Sequence, residues 1–231
     1  MSSQELIRLT HAGQRAADPA RRLLSGAHTG LDYPPGVGGL RAAQKRMTRE
    51  LLLTQALELF EAKGYAAVTV DEIAAAAGTT RQTFYQHFPS KSQLMQSLIE
   101  TVDRMLTSSD EPPLTSAVAS GDVEQLRAWL ARKVDQWPDI RPYVMAAHEA
   151  APQDGDIQAA ITRWFEGAIG DIQAGLDRAG RFDPSSRRIR AVLAFGQLEF
   201  FSRRWFRTGW DVDRNQTVAL LTDSWRSLLI D

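Results

Sequence analysis

The chain of 231 residues contains no cysteine, and that absence removes a disulfide framework, a thiolate nucleophile and any zinc–thiolate centre. Histidine is nearly as scarce. The four histidines, at positions 11, 28, 87 and 148, show no metal-ligand spacing, so neither a metal nor another cofactor is expected. His148 stands beside Glu149, but neighbouring helical residues point about 100° apart and do not face each other for acid–base work. The glycines of Gly36-Val37-Gly38-Gly39 lack the flanking strand and the lysine of a phosphate-cradling loop. Together these absences argue against an enzyme. No uncharged apolar run approaches the roughly 18–20 residues that a membrane span needs, and the N-terminus lacks a signal-peptide apolar core. A soluble, cytoplasmic protein without a membrane partner is expected.

What is present concentrates between Thr69 and Lys91, in TVDEIAAAAGTTRQTFYQHFPSK. Thr69 is followed three places later by Glu72, a reciprocal capping pair that opens a helix at Val70. Ile73, Ala74 and Ala77 give it a small apolar face, and Gly78 stops it by taking positive φ without a Cβ clash. Thr80 is the expected N-cap of a second helix, Arg81 to His87, on which Phe84 and the following Phe88 sit four apart and face inward. Outside remain Arg81, Gln82, Thr83, Tyr85, Gln86 and His87. That polar side suits a nucleic-acid groove better than a core. Ser90 with Gln93 is read as another capping box, starting a helix at Lys91. Two short helices around a glycine turn are the layout of a helix-turn-helix DNA reader.

Ala56-Leu57-Glu58-Leu59-Phe60, Gly64-Tyr65, Thr69-Val70, Ile73-Ala74, Ala77-Gly78 and Thr83-Phe84-Tyr85-Gln86-His87-Phe88-Pro89-Ser90-Lys91 resemble the N-terminal domain of TetR/AcrR transcriptional regulators. The resemblance spans residues 46–94. It departs from the family pattern at Gln82, where a small residue or proline is usual, and a glutamine can pair bidentately with adenine. The resemblance implies an all-α fold, with a three-helix DNA-binding domain ahead of a larger helical domain that binds an effector and dimerises. It also implies that Thr69, Tyr85, His87 and Lys91 fix phosphates, while Arg81, Gln82 and Thr83 are candidates for base edges. Thr79 and Thr80 can serve either role. Gln86 and Arg46 complete the DNA-binding set.

Charge agrees once the chain is divided. Residues 1–95 carry 11 Lys and Arg against 8 Asp and Glu, whereas residues 96–231 carry 16 against 20. The basic excess lies with the reader and is small, so phosphate binding rests on placed contacts rather than on a broad field.

The expected domains are a flexible extension over residues 1–40, the reader over 41–90 and the body over 91–231. In the extension, Pro34 to Gly39 is read as non-helical, and Arg15, Arg21 and Arg22 are candidates for a DNA-following arm. Arg41, Lys45 and Arg49 lie at or ahead of the first reader helix.

In the body, helices are expected at 91–107, 123–137, 142–151, 157–179, 185–208 and 214–229, with residues 108–120 as a loop and Pro138 as a break. Trp129, Trp137, Tyr143, Met145, His148, Trp164 and Phe165 are the candidate walls of a small-molecule cavity, with Gln197 and Arg163 as polar anchors. Aromatic walls favour a flat or long apolar effector. The last two helices carry Val192, Phe195, Phe201, Trp205, Leu221 and Trp225, which suit a self-complementary four-helix interface. A single reader makes few base contacts, and the family dimerises through its last two helices, so a homodimer on a near-palindromic operator is expected. Repression released by ligand is the default, with an activator, or a helical protein–protein adaptor without DNA binding, as the alternatives.

Overall fold

The computed structural model describes residues 37–209 and 213–231, and it divides the chain into two compact units, 1–46 and 47–231. The candidate arm residues Arg15, Arg21 and Arg22 lie outside the described residues. The described residues form nine α-helices and one short 3-10 turn, without a strand. None of the helices is long and apolar enough to cross a membrane.

Helix α1 spans Val37–Lys63. It starts earlier than the glycine-rich sequence implied, because glycine is compatible with helical φ and costs only about 1 kcal/mol per position relative to alanine. Its opening residues Val37 to Arg46 are the described part of the first unit, and Gly39 to Arg46 are exposed.

Within the second unit, Leu52, Ala56 and Phe60 of α1 are buried with Ile73 and Ala74 of α2 (Val70–Ala76) and Phe84 of α3 (Arg81–His87). Helix α4 (Lys91–Thr107) adds Leu94, Met95 and Leu98 to the same continuous core. Ser90 accepts from the Gln93 backbone N–H at 3.1 Å, but the Gln93 side chain turns to Gln96, so only half of the expected capping box forms.

Two expectations for the body are corrected. Residues 108–120 are not all loop: α5 (Leu114–Ser120) buries Leu114, Ala117 and Val118 and ends at Gly121, which is left-handed at φ 70°. Its apolar positions span one helical turn, too short a pattern to be read by period alone. The expected break at Pro138 is absent, and α6 runs unbroken from Val123 to Ala150 with Pro138 and Pro142 inside it. An interior proline costs about 3 kcal/mol of local helix preference, and here the buried stripe from Leu126 through Trp137 to Ala147 outweighs it. Arg141 Nε donates to the Phe206 carbonyl at 2.8 Å, tying this region to a neighbouring helix. Helices α7 (Gly155–Ala179), α8 (Pro184–Thr208) and α9 (Arg214–Leu229) complete the body, capped by Asp154, Asp183 and Asp213 respectively.

Candidate DNA-reading helix and effector cavity

The reader is held by short-range hydrogen bonds that the sequence encodes. The Thr69 hydroxyl accepts from the Glu72 N–H at 3.2 Å, and Glu72 Oε2 accepts from the Thr69 N–H at 2.9 Å. Glu72 also meets Lys63 Nζ at 2.7 Å. Lys63, then Thr69, hold its carboxyl down at a pKa of about 2. Gly78 turns the chain at φ 65°. Thr80 caps α3 by accepting from the Thr83 N–H at 3.2 Å. Phe84 and Phe88 are buried, with their rings 5.8 Å apart, and anchor the inner side of α3.

Arg81, Gln82, Tyr85 and Gln86 are exposed along α3, whereas Thr83 and His87 are half-buried. Arg81 holds Asp71 at 2.7 Å and its Nη2 donates to the Tyr85 hydroxyl at 3.3 Å. Such an exposed ion pair is weak and exchangeable, so Arg81 can turn to a phosphate or a base without a large loss. Thr69 and Thr80 are exposed and engaged as caps, and Thr79 is half-buried. Lys91 differs from the other candidates, because its Nζ donates to the carbonyls of Tyr65 and Val68 at 2.8 Å each and lies 4.1 Å from the Tyr65 ring centroid. Burial lowers its pKa. Its structural role is to tie α4 to the loop before α2. Arg46 is exposed in the first unit.

In the body, a cavity of about 450 Å³ lies between α4, α6, α7 and α8. Of the predicted wall residues, Trp129, Trp137, His148, Trp164 and Phe165 line it together. Tyr143 and Met145 do not line it. Tyr143 is buried, and its hydroxyl pKa is raised by that burial and then by Glu61 and Asp139. Met145 packs half-buried against the core. Gln197 lies in a separate groove between α8 and α9, where its Oε1 accepts from the Ser224 hydroxyl at 3.0 Å. Arg163 lines a third, surface groove.

Several cavity residues escaped the sequence reading. Asp110 accepts from Lys133 Nζ at 2.6 Å and from Trp129 Nε1 at 3.0 Å, forming a buried cluster on the cavity wall. Lys133 Nζ also donates to the Leu106 carbonyl. Burial lowers the lysine pKa, and Asp110 opposes that shift. The pairing joins residues 23 positions apart, so no local pattern in the sequence announces it.

The predicted interface residues divide into inner and outer sets. Trp225 has no exposed surface: it stacks on Trp129 at 5.6 Å, and its Nε1 donates to the Ala194 carbonyl at 3.0 Å. It is therefore a core residue and cannot meet a partner subunit. Leu221 is also buried. Phe195 lines the cavity, 5.2 Å from the Phe165 ring. Phe201 and Trp205 are half-buried beside Trp137. Val192 remains outside, joined by Ile189, Leu193, Phe200 and Leu220 as exposed apolar side chains on α8 and α9. Both helices carry apolar residues around much of their circumference, so spacing did not separate the faces.

Comparison with known proteins places this geometry in a family. Residues 52–98 match the model of bacterial regulatory proteins of the tetR family. The transcriptional regulator TcmR of Streptomyces glaucescens is 39% identical over 159 residues, covering 68% of this chain and 65% of its own length. The chain thus spans slightly under two thirds of that relative. Among solved structures, the SmeT–triclosan complex superposes with a TM-score of 0.65 at 20% identity, over 80% of this chain and 92% of the other. NalD, the secondary repressor of the MexAB-OprM multidrug efflux pump in Pseudomonas aeruginosa, gives a TM-score of 0.63 at 19% identity, over 81% and 98%. These structural likenesses establish the shared helical fold. With the reader motif, the family-model match and the relationship to TcmR, the chain belongs to the tetR family of bacterial regulatory proteins.

Proposed function

We propose that this chain is a ligand-responsive transcriptional repressor that binds a near-palindromic operator as a cytoplasmic homodimer. The observation that carries the reading is α3: two buried phenylalanines fix one side, while Arg81, Gln82, Tyr85 and Gln86 project from the other. Such a helix fits the major groove, where side chains near its start reach base edges and flanking groups position the backbone. Arg81, Gln82 and Thr83 are assigned to bases. Thr69, Tyr85 and His87 are assigned to phosphates, with Thr79, Thr80 and Gln86 completing the set on this unit, and Arg46 is assigned separately to the DNA backbone. Lys91 acts indirectly by holding the loop before α2.

Residues 41–90 serve as the reader and 91–231 as the effector-binding and dimerising body, with 1–40 as an extension. The exposed apolar side chains of α8 and α9 supply the self-complementary surface. The cavity takes a small apolar or aromatic effector, a reading supported by its aromatic walls and by a structural neighbour solved with triclosan. Ligand favours a spacing of the two readers that no longer matches the operator, and operator affinity falls by the ligand's differential affinity for the two states. Selection of bound duplexes from a random pool tests the DNA-reading half. Recovery of a palindrome with half-sites about 34–36 Å apart, or a multiple of that, is the expected result. Failure to enrich any sequence, with affinity insensitive to salt, would overturn it.

A further inference from the structure

The polar groups of the cavity differ in how completely the protein already uses them. Lys133 is engaged by Asp110, the Leu106 carbonyl and Gln136. Arg203 pairs with Glu199 one turn away, at 3.3 Å. Asp171 accepts from the Thr115 hydroxyl at 3.1 Å, and Asp103 is exposed to solvent. The hydroxyls of Ser202 and Thr107 donate to the carbonyls of Glu199 and Asp103. His148 and the indole of Trp164 are the exceptions among the lining groups, and where the indole can only donate, His148 can both donate and accept. His148 is half-buried, its ring lies 6.3 Å from that of Phe165, and its ring nitrogens have no hydrogen-bond partner among the described residues.

From this distribution we infer that the cavity selects a flat, uncharged aromatic ligand bearing a hydroxyl or ring carbonyl, and that His148 is the residue that recognises this group. The inference rests on the ligand-responsive reading above and adds the chemical class of the ligand.

Three observations converge. Trp129, Trp137, Trp164, Phe165 and Phe195 supply flat apolar walls. The strongest buried cation, Lys133, is claimed by three acceptors, so a ligand carboxylate would have to displace a tight internal pair. Burial, then Arg203 and Arg207, lower the pKa of His148 and favour its neutral form, which offers one donor and one acceptor. A ligand that fills the cavity removes water from the His148 ring, so one that supplies a hydrogen-bond partner in its place is favoured over an isostere that does not.

Four three-ring probes of nearly equal shape provide the test: phenanthrene, 9-phenanthrol, phenanthrene-9-carboxylate and 9-(aminomethyl)phenanthrene. Binding is read from quenching of the cavity tryptophans, with native folding of each variant checked by circular dichroism. In the wild type, 9-phenanthrol should bind about three- to tenfold more tightly than phenanthrene, the gain expected of one neutral hydrogen bond, and more tightly than either charged probe. His148→Phe should abolish that preference while leaving phenanthrene affinity within twofold. His148→Gln, which keeps a donor and an acceptor, should restore part of it. The inference is overturned if a charged probe binds best, if the phenanthrol preference survives in His148→Phe, or if none of the four binds. Each of those outcomes leaves intact the operator-selection test, which concerns the reader and uses no ligand.

Discussion

At the scale of single residues, Glu72 and Gln82 show two different ways in which one side chain matters. Glu72 closes the capping box of α2 and meets Lys63. Its folded pKa of about 2 lies below the ordinary value of 4.5, so its stabilisation is fully present above about pH 4.5 and is lost as pH falls through about 2. The difference in melting temperature between wild type and Glu72→Gln should therefore be largest near neutral pH and vanish near pH 2. A pH-independent difference would place the effect elsewhere. Gln82 contributes little visible to the fold, since its side chain is exposed and makes no hydrogen bond among the described residues. Gln82→Gly should leave phosphate contacts in place and relax base preference at one position per half-site, by the roughly 1–3 kcal/mol of a bidentate base contact. Unchanged selected sequences would make Gln82 a bystander. Lys91 shows the limit of residue-by-residue transfer, because its ammonium is spent on two backbone carbonyls.

At the scale of elements, caps were legible and close approaches were not. Thr69, Thr80 and Ser90 cap the helices that follow them through bonds spanning three residues, and such local chemistry is written in consecutive letters. The approach of α5 to α7 is different. A Cβ added to Gly175 would lie 2.7 Å from Val118 Cβ and 2.8 Å from the Thr115 carbonyl oxygen. Gly175→Ala should force the two helices apart and destabilise the protein by about 1–3 kcal/mol. Gly170, on the same helix, has nothing within 4 Å of such a Cβ. Gly170→Ala should instead stabilise by about 0.5–1 kcal/mol by removing helix-disfavouring freedom. Urea denaturation of both variants checks the pair, and equal effects would refute this account of the contact. The unbroken α6 follows the same logic: proline is a local signal, and long-range burial overrode it.

At the scale of the whole molecule, the exposed side chains of α8 and α9 carry the proposed assembly. Phe200 and Leu220 are 63% and 62% exposed. Phe200→Glu combined with Leu220→Glu should leave a folded monomer in sedimentation and lower operator affinity by at least tenfold, since two half-sites would no longer be held together. A dimer that survives both changes would place the interface elsewhere. Phe195 and Trp225 were expected on that surface, yet one faces the cavity and the other is enclosed. An amphipathic period marks a helix's apolar sides but not which neighbour each side meets.

The sequence alone determined the all-helical class and the reader's order of cap, helix, glycine turn and polar helix, because hydrogen bonds and φ preferences over a few residues control them. Tertiary structure decided which aromatic residues surround the cavity, that Lys133 is paired with Asp110, and that no group among the described residues engages the nitrogens of His148. Those outcomes depend on which distant side chains share a small volume once competing faces have packed, and no local spacing encodes that.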